Sequence, residues 1–359
     1  MSNDEGPTAE EFAARLFASA LGFADILAVH IGDRLGWYRS LAAAGPATAT
    51  ELAQRTSTSP RYAREWLEQQ AVTGVLQAEE GGDGAQRRFL LPPGAAEVLT
   101  DERSLNYLTP LARMLGAVGP ALPDLLTAYR TGGGVSWADF GADAREGQAD
   151  MNRPWFEELH HAFAGVDSIH AALTRPGARI ADVGTGAGWS SIALARAYPE
   201  LQVDGFDVDD PSIELARANA QDAGLSDRVR FHNANGSGLS AFGPFDAAFA
   251  FECIHDMPQP VEVLAAMRAA VRDDGPVIVM DEAVAEDFSA PGDDLERIMY
   301  AYSLLICLPD SLSHSPSVGT GTVMRPDTLR GYARDAGFAD IDVLPIEDFA
   351  FFRFYSLTR

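Results

Sequence analysis

Three short segments of this 359-residue chain carry residue types whose spacing suits chemistry on a small ligand. The first is Asp182-Val183-Gly184-Thr185-Gly186-Ala187-Gly188, where alternate glycines let the backbone turn tightly and come close to a bound molecule. The second centres on Asp207, 19 residues beyond Gly188, where a carboxylate at a strand end can accept both hydroxyls of a ribose. The third is Phe251-Glu252-Cys253-Ile254-His255-Asp256-Met257. Its histidine titrates near working pH, so a neutral imidazole here can take a proton from a reacting hydroxyl. Taken alone, the glycines would serve any strand-to-helix turn, Asp207 would cap a helix, and His255 would pack in a core.

The surrounding pattern positions all three segments together. Arg179–Val183, Val203–Phe206, Val229–Phe231, Ala247–Phe251 and Val277–Met280 are short apolar runs, each followed by a helix-length segment, which predicts βαβ units and a parallel sheet. The chemical segments then fall at the carboxyl ends of the strands, where open α/β sheets bind ligands. Ile341–Leu344 and Phe349–Tyr355 follow each other closely and predict an antiparallel tail. Upstream, residues 8–43 read as helical, with Phe12, Leu16, Ala20, Phe23 and Leu27 on one stripe. Thr48 caps a short helix with Leu52 and Ala53. Ser59-Pro60 opens another, with Tyr62, Ala63, Trp66 and Leu67 on its apolar face and Gly74 at its end. Val75-Leu76, a tip at Gly81-Gly82-Asp83-Gly84, and the return Phe89-Leu90-Leu91 complete the wing of a winged helix. Pro120, Pro123 and Gly132-Gly133-Gly134 mark a connecting stretch. The expected organisation is a helical winged-helix domain over 1–115, a linker over 116–150, and an α/β domain over 151–359.

Composition narrows the function. Acidic residues outnumber basic ones 52 to 27, for a formal charge of −25, and a nucleic-acid duplex repels such a surface. The winged helix adds no local excess of cations. Arg61 and Arg64 stand with Glu65 and Glu68, and Arg87 and Arg88 with Glu79, Glu80 and Asp83. Nucleic acid is therefore not an expected partner, and a ligand-sensing regulator is the weaker reading. Cys253 and Cys307 sit among apolar residues, which suits a reducing compartment. Asp4, Glu5, Glu10 and Glu11 occupy the N-terminus where a signal peptide would be basic, and no unbroken apolar run approaches the length of a membrane span. A soluble, cytoplasmic protein without a membrane segment is expected. No Cys/His spacing fits a metal, so none is expected.

Two features separate S-adenosylmethionine from a nicotinamide dinucleotide. Asp182 lies inside the first strand, just ahead of the glycines, where a dinucleotide fingerprint begins on an apolar strand. The glycines also recur as Gly-x-Gly-x-Gly rather than Gly-x-Gly-x-x-Gly. Asp182–Gly188 resembles the first motif of the class I methyltransferases, and Gly205-Phe206-Asp207-Val208-Asp209 resembles their second. The likeness extends to His30–Tyr38, Arg61–Leu67, Met151–Pro154 and Gly188–Ser191, which are similar to bacterial winged-helix methyltransferases. It implies a Rossmann-like sheet, parallel with an antiparallel last strand, and S-adenosylmethionine as cofactor. The cofactor would be held by Asp182, Gly184, Gly186, Gly188, Asp207, Val208 and Phe251, with Asn235 and Gly236 at the adenine. Family members usually carry an aspartate where this chain has Asn235. His255-Asp256-Met257 is similar to the His-Asp-Trp segment of the caffeic-acid-type O-methyltransferases, whose histidine is a general base; Met257 departs from that pattern. The likeness assigns the flanking acid to Asp281, or to its neighbour Glu282, and it also implies a homodimer built on the N-terminal helices.

A predicted helix Leu295–Cys307, with Met299, Tyr300, Tyr302, Ser303 and Ile306, would wall an acceptor pocket opposite Trp155, Phe156 and Phe163. Such a lining favours a fairly hydrophobic small-molecule methyl acceptor, methylated on oxygen. Ser315–Gly321 is a candidate lid. Methyl transfer to nitrogen or carbon by proximity, or a different reaction on the same cofactor, stays open.

Overall fold

Helix starts are written clearly into the N-terminal sequence. Thr8 and Thr48 each form a reciprocal capping box, with Glu11 and Glu51, at the starts of α1 (Ala9–Arg34) and α3 (Ala49–Thr56). In the computed structural model, which describes residues 6–79, 84–347 and 349–359, the long helix expected over 8–43 is two. Gly36 adopts a left-handed backbone (φ 69°) that ends α1, and α2 (Trp37–Ala44) starts afresh. Then come α3, α4 (Pro60–Val72), β1 (Gln77–Ala78) paired antiparallel with β2 (Phe89–Leu90), and α5 (Pro93–Thr100). The expected wing tip at Gly81–Asp83, with Glu80, lies outside the described residues, as do Asp4 and Glu5. Trp37, Tyr38, Leu52, Leu67 and Phe89 form this unit's core. The arginines that a DNA reader would present are engaged locally. Arg61 pairs with Glu65 at 2.5 Å, Arg64 with Glu68 at 3.1 Å, and Arg88 with the capping Glu51 at 2.8 Å.

α1 spans 26 residues and is long and apolar enough, by length and composition alone, to cross a membrane. Arg15, Asp25 and Asp33 break every unbroken apolar run, which is why the sequence concealed it. Phe12, Leu16, Phe17, Leu21 and Phe23 are all exposed along it.

The chain forms two compact units, Met1–Gly116 and Ala117–Arg359. It passes from one to the other within α6 (Thr109–Thr131), which contains Pro120 and Pro123. α7 (Trp137–Glu157) follows, kinked at Gly141. The stretch 116–150, expected as a linker, is therefore largely helical. Pro120 and Pro123 are tolerated because each proline removes one backbone donor, while the apolar face with Ala117, Ala121 and Leu125 is buried.

α8 (Leu159–Ala164) and α9 (Asp167–Thr174) lead into the α/β unit. It contains β3 (Arg179–Val183), α10 (Trp189–Ala197), β4 (Gln202–Asp207), α11 (Asp210–Asp222) and β5 (Val229–Asn233). β6 (Ala247–Phe251), α12 (Pro260–Ala270), β7 (Val277–Glu282), α13 (Asp294–Tyr302), α14 (Leu308–Ser313), α15 (Pro326–Asp335), β8 (Asp340–Val343) and β9 (Phe352–Thr358) complete it. The strands line up as β5-β4-β3-β6-β7-β9-β8. β9 runs antiparallel to both of its neighbours and the other pairings are parallel. β6 explains why a continuous apolar run becomes a central strand: Ala247, Phe249 and Phe251 enter one helical layer, Ala248 and Ala250 the other. The last strand starts at Phe352 rather than at Phe349, because a turn intervenes: Ala350 takes a positive φ of 50° and the Phe352 amide bonds Phe349.

Candidate active site

The turn after β3 is built around a buried carboxylate. Asp182 Oδ2 accepts hydrogen bonds from the hydroxyls of Thr185 (2.9 Å), Ser190 (2.7 Å) and Ser191 (2.5 Å). It therefore ties the glycine loop to the first turn of α10, and burial raises its pKa against those bonds. Its Oδ1 is buried without a partner. Gly184 is required twice over, since its φ is 73° and a Cβ would stand 2.6 Å from Cys253 Sγ. Gly186 has φ 52° and open space where a Cβ would point, so a ligand can approach its backbone there. Gly188 caps α10.

Asp207, at the end of β4, accepts from the Gly186 amide through Oδ2 and from the Asp209 amide through Oδ1, both at 2.9 Å. Burial, with the nearby Asp209 carboxylate adding to it, raises its pKa above the usual aspartate value. Val208 is exposed. Asp209 caps α11 and pairs with Arg145 of α7 at 2.6 Å. Sequence reading passed over Arg145; a lone arginine in a charged helix gives no signal of a partner 64 residues away. Asn235, after β5, is exposed and its Oδ1 accepts from the Ser237 amide at 2.9 Å. Gly236 is buried, and a Cβ there would meet Val183 at 2.8 Å. The loop thus offers an open backbone, an orphan buried oxygen, and a carboxylate with each oxygen engaged once. That donor and acceptor set fits a nucleoside carrying an amino-acid tail.

The cluster after β6 is denser than its sequence suggests. Glu252 takes a left-handed backbone, φ 52°, uncommon for a residue with a side chain, while its amide bonds Met280. Its carboxylate accepts from Asn152 on α7, and burial drives its pKa up to about 7. His255 is fully buried. Its Nδ1 lies 2.9 Å from Asp281 Oδ1 and 3.2 Å from Glu282 Oε2, and its Nε2 lies 3.2 Å from Asp256 Oδ1. Burial opposes the charged imidazole, but Asp256, Asp281 and Glu282 together outweigh it and hold the histidine well above its ordinary pKa. In the same field burial lifts Glu282, while the histidine draws Asp281 down against burial. The ligating atoms of His255, Asp281 and Glu282 lie within 4.8 Å of one another, a grouping that no sequence spacing revealed. The Nδ1 to Asp281 separation is that of a hydrogen bond.

Of the expected pocket wall, several members belong to the core. Phe163 is inaccessible and stacks on Phe249 at 5.5 Å. Phe156 faces Phe251 at 5.7 Å, and both rings pack in the core of the sheet. Trp155 is partly buried against Phe349. Met299 and Tyr302, on α13, are buried. Helix Leu295–Cys307 is in fact α13 followed by a π-helical turn, Ser303–Cys307. Gly321 packs close to the start of this turn; a Cβ there would come 2.3 Å from Ser303 Oγ. Ser315–Gly321, expected as a lid, is held in place: the Val318 amide bonds Pro258 at 2.9 Å and the Gly321 amide bonds His255 at 3.2 Å.

Two family models match the chain: a methyltransferase domain over 180–275 and an Rv2258c-like winged helix-turn-helix domain over 24–101. Among curated relatives, 27-O-demethylrifamycin SV methyltransferase of Amycolatopsis mediterranei (strain S699) is 27% identical over 41% of this chain and 60% of its own length. Acetylserotonin O-methyltransferase of Mus musculus is 26% identical over 70% of this chain and 68% of its own length. The fold is that of mitomycin 7-O-methyltransferase, with TM-score 0.69 and 21% identity over 98% of this chain and all of that one. It is equally that of human N-acetylserotonin methyltransferase solved with S-adenosylmethionine, with TM-score 0.69 and 18% identity over 100% of this chain and 99% of that one. An O-methyltransferase from neocarzinostatin biosynthesis, solved with S-adenosylmethionine and a hydroxynaphthoic acid, has TM-score 0.63 at 21% identity over 93% and 96% of the two chains. With the glycine loop, the buried Asp182 and the sheet order on one side and these likenesses on the other, the chain carries a methyltransferase domain with a Rossmann-like sheet and an N-terminal winged helix-turn-helix domain.

Proposed function

We propose that the enzyme methylates a hydroxyl oxygen of a small, fairly hydrophobic acceptor, with His255 as general base and Asp281 as the residue that orients it. The observation carrying this reading is the buried pair, in which His255 Nδ1 donates to Asp281 Oδ1 at 2.9 Å and leaves Nε2 as the nitrogen that can receive a proton. Bound S-adenosylmethionine supplies an electrophilic methyl group. Gly184, Gly186 and Gly188 would give it their backbone, Asp207 its ribose contacts, and Asn235 with Gly236 its adenine contacts. His255 Nε2 takes the acceptor proton, and Asp281 stabilises the imidazolium that results. Met299, Tyr302 and Ser303 would line the acceptor side. The oxygen acceptors named for the relatives support this chemistry over transfer to nitrogen or carbon.

Asp207→Ala removes a charged acceptor of two ribose hydroxyls. It is expected to weaken S-adenosylmethionine binding by about 1.5–3 kcal/mol, measured by calorimetry. An unchanged Kd would take Asp207 out of the site.

A homodimer joined through α1 is part of the same proposal, since Phe12, Leu16, Phe17, Leu21 and Phe23 expose more apolar surface than an isolated surface helix carries. Light scattering should give a dimer for the full chain and a monomer for the Phe17→Glu, Leu21→Glu double variant. A monomeric parent chain would refute the dimer.

A further inference from the structure

α7 is fastened to the carboxyl edge of the sheet on both sides of β3. Strand β3 lies between β4 and β6. Arg145 of α7 reaches Asp209, just past the end of β4, and Asn152 of α7 reaches Glu252, the residue after β6. Arg145 and Asn152 are seven residues apart, two turns of helix, which is about 10.5 Å of rise. β4 and β6 are two strand spacings apart, about 9.6 Å. The match lets one stretch of α7 bridge the strands that flank the glycine loop. Arg153 adds a contact to the turn after β3 itself, its guanidinium 4.1 Å from the ring centre of Trp189, the first residue of α10.

Of these attachments, Arg145 bears on the ribose side. Its Nε donates to Asp209 Oδ2 at 2.6 Å and its Nη2 to Oδ1 at 3.3 Å, a two-point grip. Oδ2 also accepts from the Ser212 amide at 3.0 Å and the Ser212 hydroxyl at 2.7 Å. With its carboxylate held in this way, Asp209 aims its own amide at Asp207 Oδ1, 2.9 Å away. Asp207 and Asp209 are like charges on one short turn, and the Arg145–Asp209 pair is only 12% exposed on each side. Without the guanidinium, Asp209 would turn toward water and away from its neighbour, and its amide would leave Asp207.

We propose that Arg145 is a positioning residue for cofactor binding: acting through Asp209, it holds the Asp207 carboxylate in the orientation that meets the ribose hydroxyls. This role rests on the reading that Asp207 accepts those hydroxyls, and the experiment separates failure of the one from failure of the other.

Full-length protein is titrated calorimetrically with S-adenosylhomocysteine and with its 2′-deoxyribose analogue. The parent enzyme should bind S-adenosylhomocysteine about tenfold or more tightly than the analogue, the effect of one hydrogen bond to a charged acceptor. Arg145→Met keeps an apolar stem and removes the guanidinium fork. It should weaken S-adenosylhomocysteine by about tenfold and leave the analogue nearly unchanged, which brings the two affinities together. Arg145→Lys supplies the charge at a single point and should restore part of the preference. A parent preference that survives intact in Arg145→Met, whether both ligands weaken equally or neither weakens, overturns the positioning role and leaves the Asp207 reading standing. Equal affinities in the parent enzyme overturn the Asp207 contact itself, and the positioning role falls with it.

Discussion

His255→Ala is expected to lower kcat by about 10²–10⁴, the usual contribution of a positioned general base, with S-adenosylmethionine affinity nearly intact. The pH profile makes the test specific. Asp256, Asp281 and Glu282 outweigh burial and hold His255 above its ordinary pKa, so the imidazole keeps its proton to higher pH than a free histidine does. Activity should therefore rise with pH above neutrality and fall as pH drops through this raised pKa. Asp256→Asn removes the anion 3.2 Å from Nε2, so the limb should move to lower pH with little loss of maximal kcat. Asp281→Asn should also move it down, with a lower plateau because the ring loses its orienting acceptor. Near-parental turnover in His255→Ala would remove the base and leave methyl transfer by positioning alone.

Asp33→Ala should destabilise the N-terminal unit by about 3–5 kcal/mol, because it removes the carboxylate that the buried Arg113 pairs with. Asp33, near the end of α1, and Arg113 pair at 2.6 Å with exposures of 2% and 6%. Next to it, Gly32 leaves Trp66 its space: a Cβ there would come 2.3 Å from the indole. Urea unfolding followed by tryptophan fluorescence reads the loss, since Trp37 and Trp66 both lie in that unit's core. A change below about 1 kcal/mol would mean that the pair is solvated in solution.

The sequence displayed the sheet because its strands are buried on both faces: an unbroken run such as Ala247–Phe251 has few other ways to be satisfied. The glycine loop was legible for the same local reason, since left-handed turns at Gly184 and Gly186 need glycine whatever follows them. What stayed hidden depends on distance along the chain. Asp33 and Arg113 stand 80 residues apart, Arg145 and Asp209 are 64 apart, and Asn152 and Glu252 are 100 apart. No periodicity records such pairs. Aromatic residues misled in the opposite direction. Phe156 and Phe163 share the spacing of a pocket wall and of a core face, and packing against Phe249 and Phe251 decided for the core. Ala117–Thr131 read as a linker because prolines count against helix in sequence, while burial of the opposite face outweighs them.

The central claim is transfer of a methyl group to oxygen, and isotopic labelling tests it most directly. The enzyme is incubated with trideuteromethyl S-adenosylmethionine and a mixed pool of small hydroxyl and amino compounds, and products are resolved by mass spectrometry and NMR. The account predicts a product carrying the labelled methyl as an ether on a former hydroxyl, formed by the parent enzyme and nearly absent with His255→Ala. A labelled methyl found on nitrogen or carbon, formed equally well by both proteins, would contradict it.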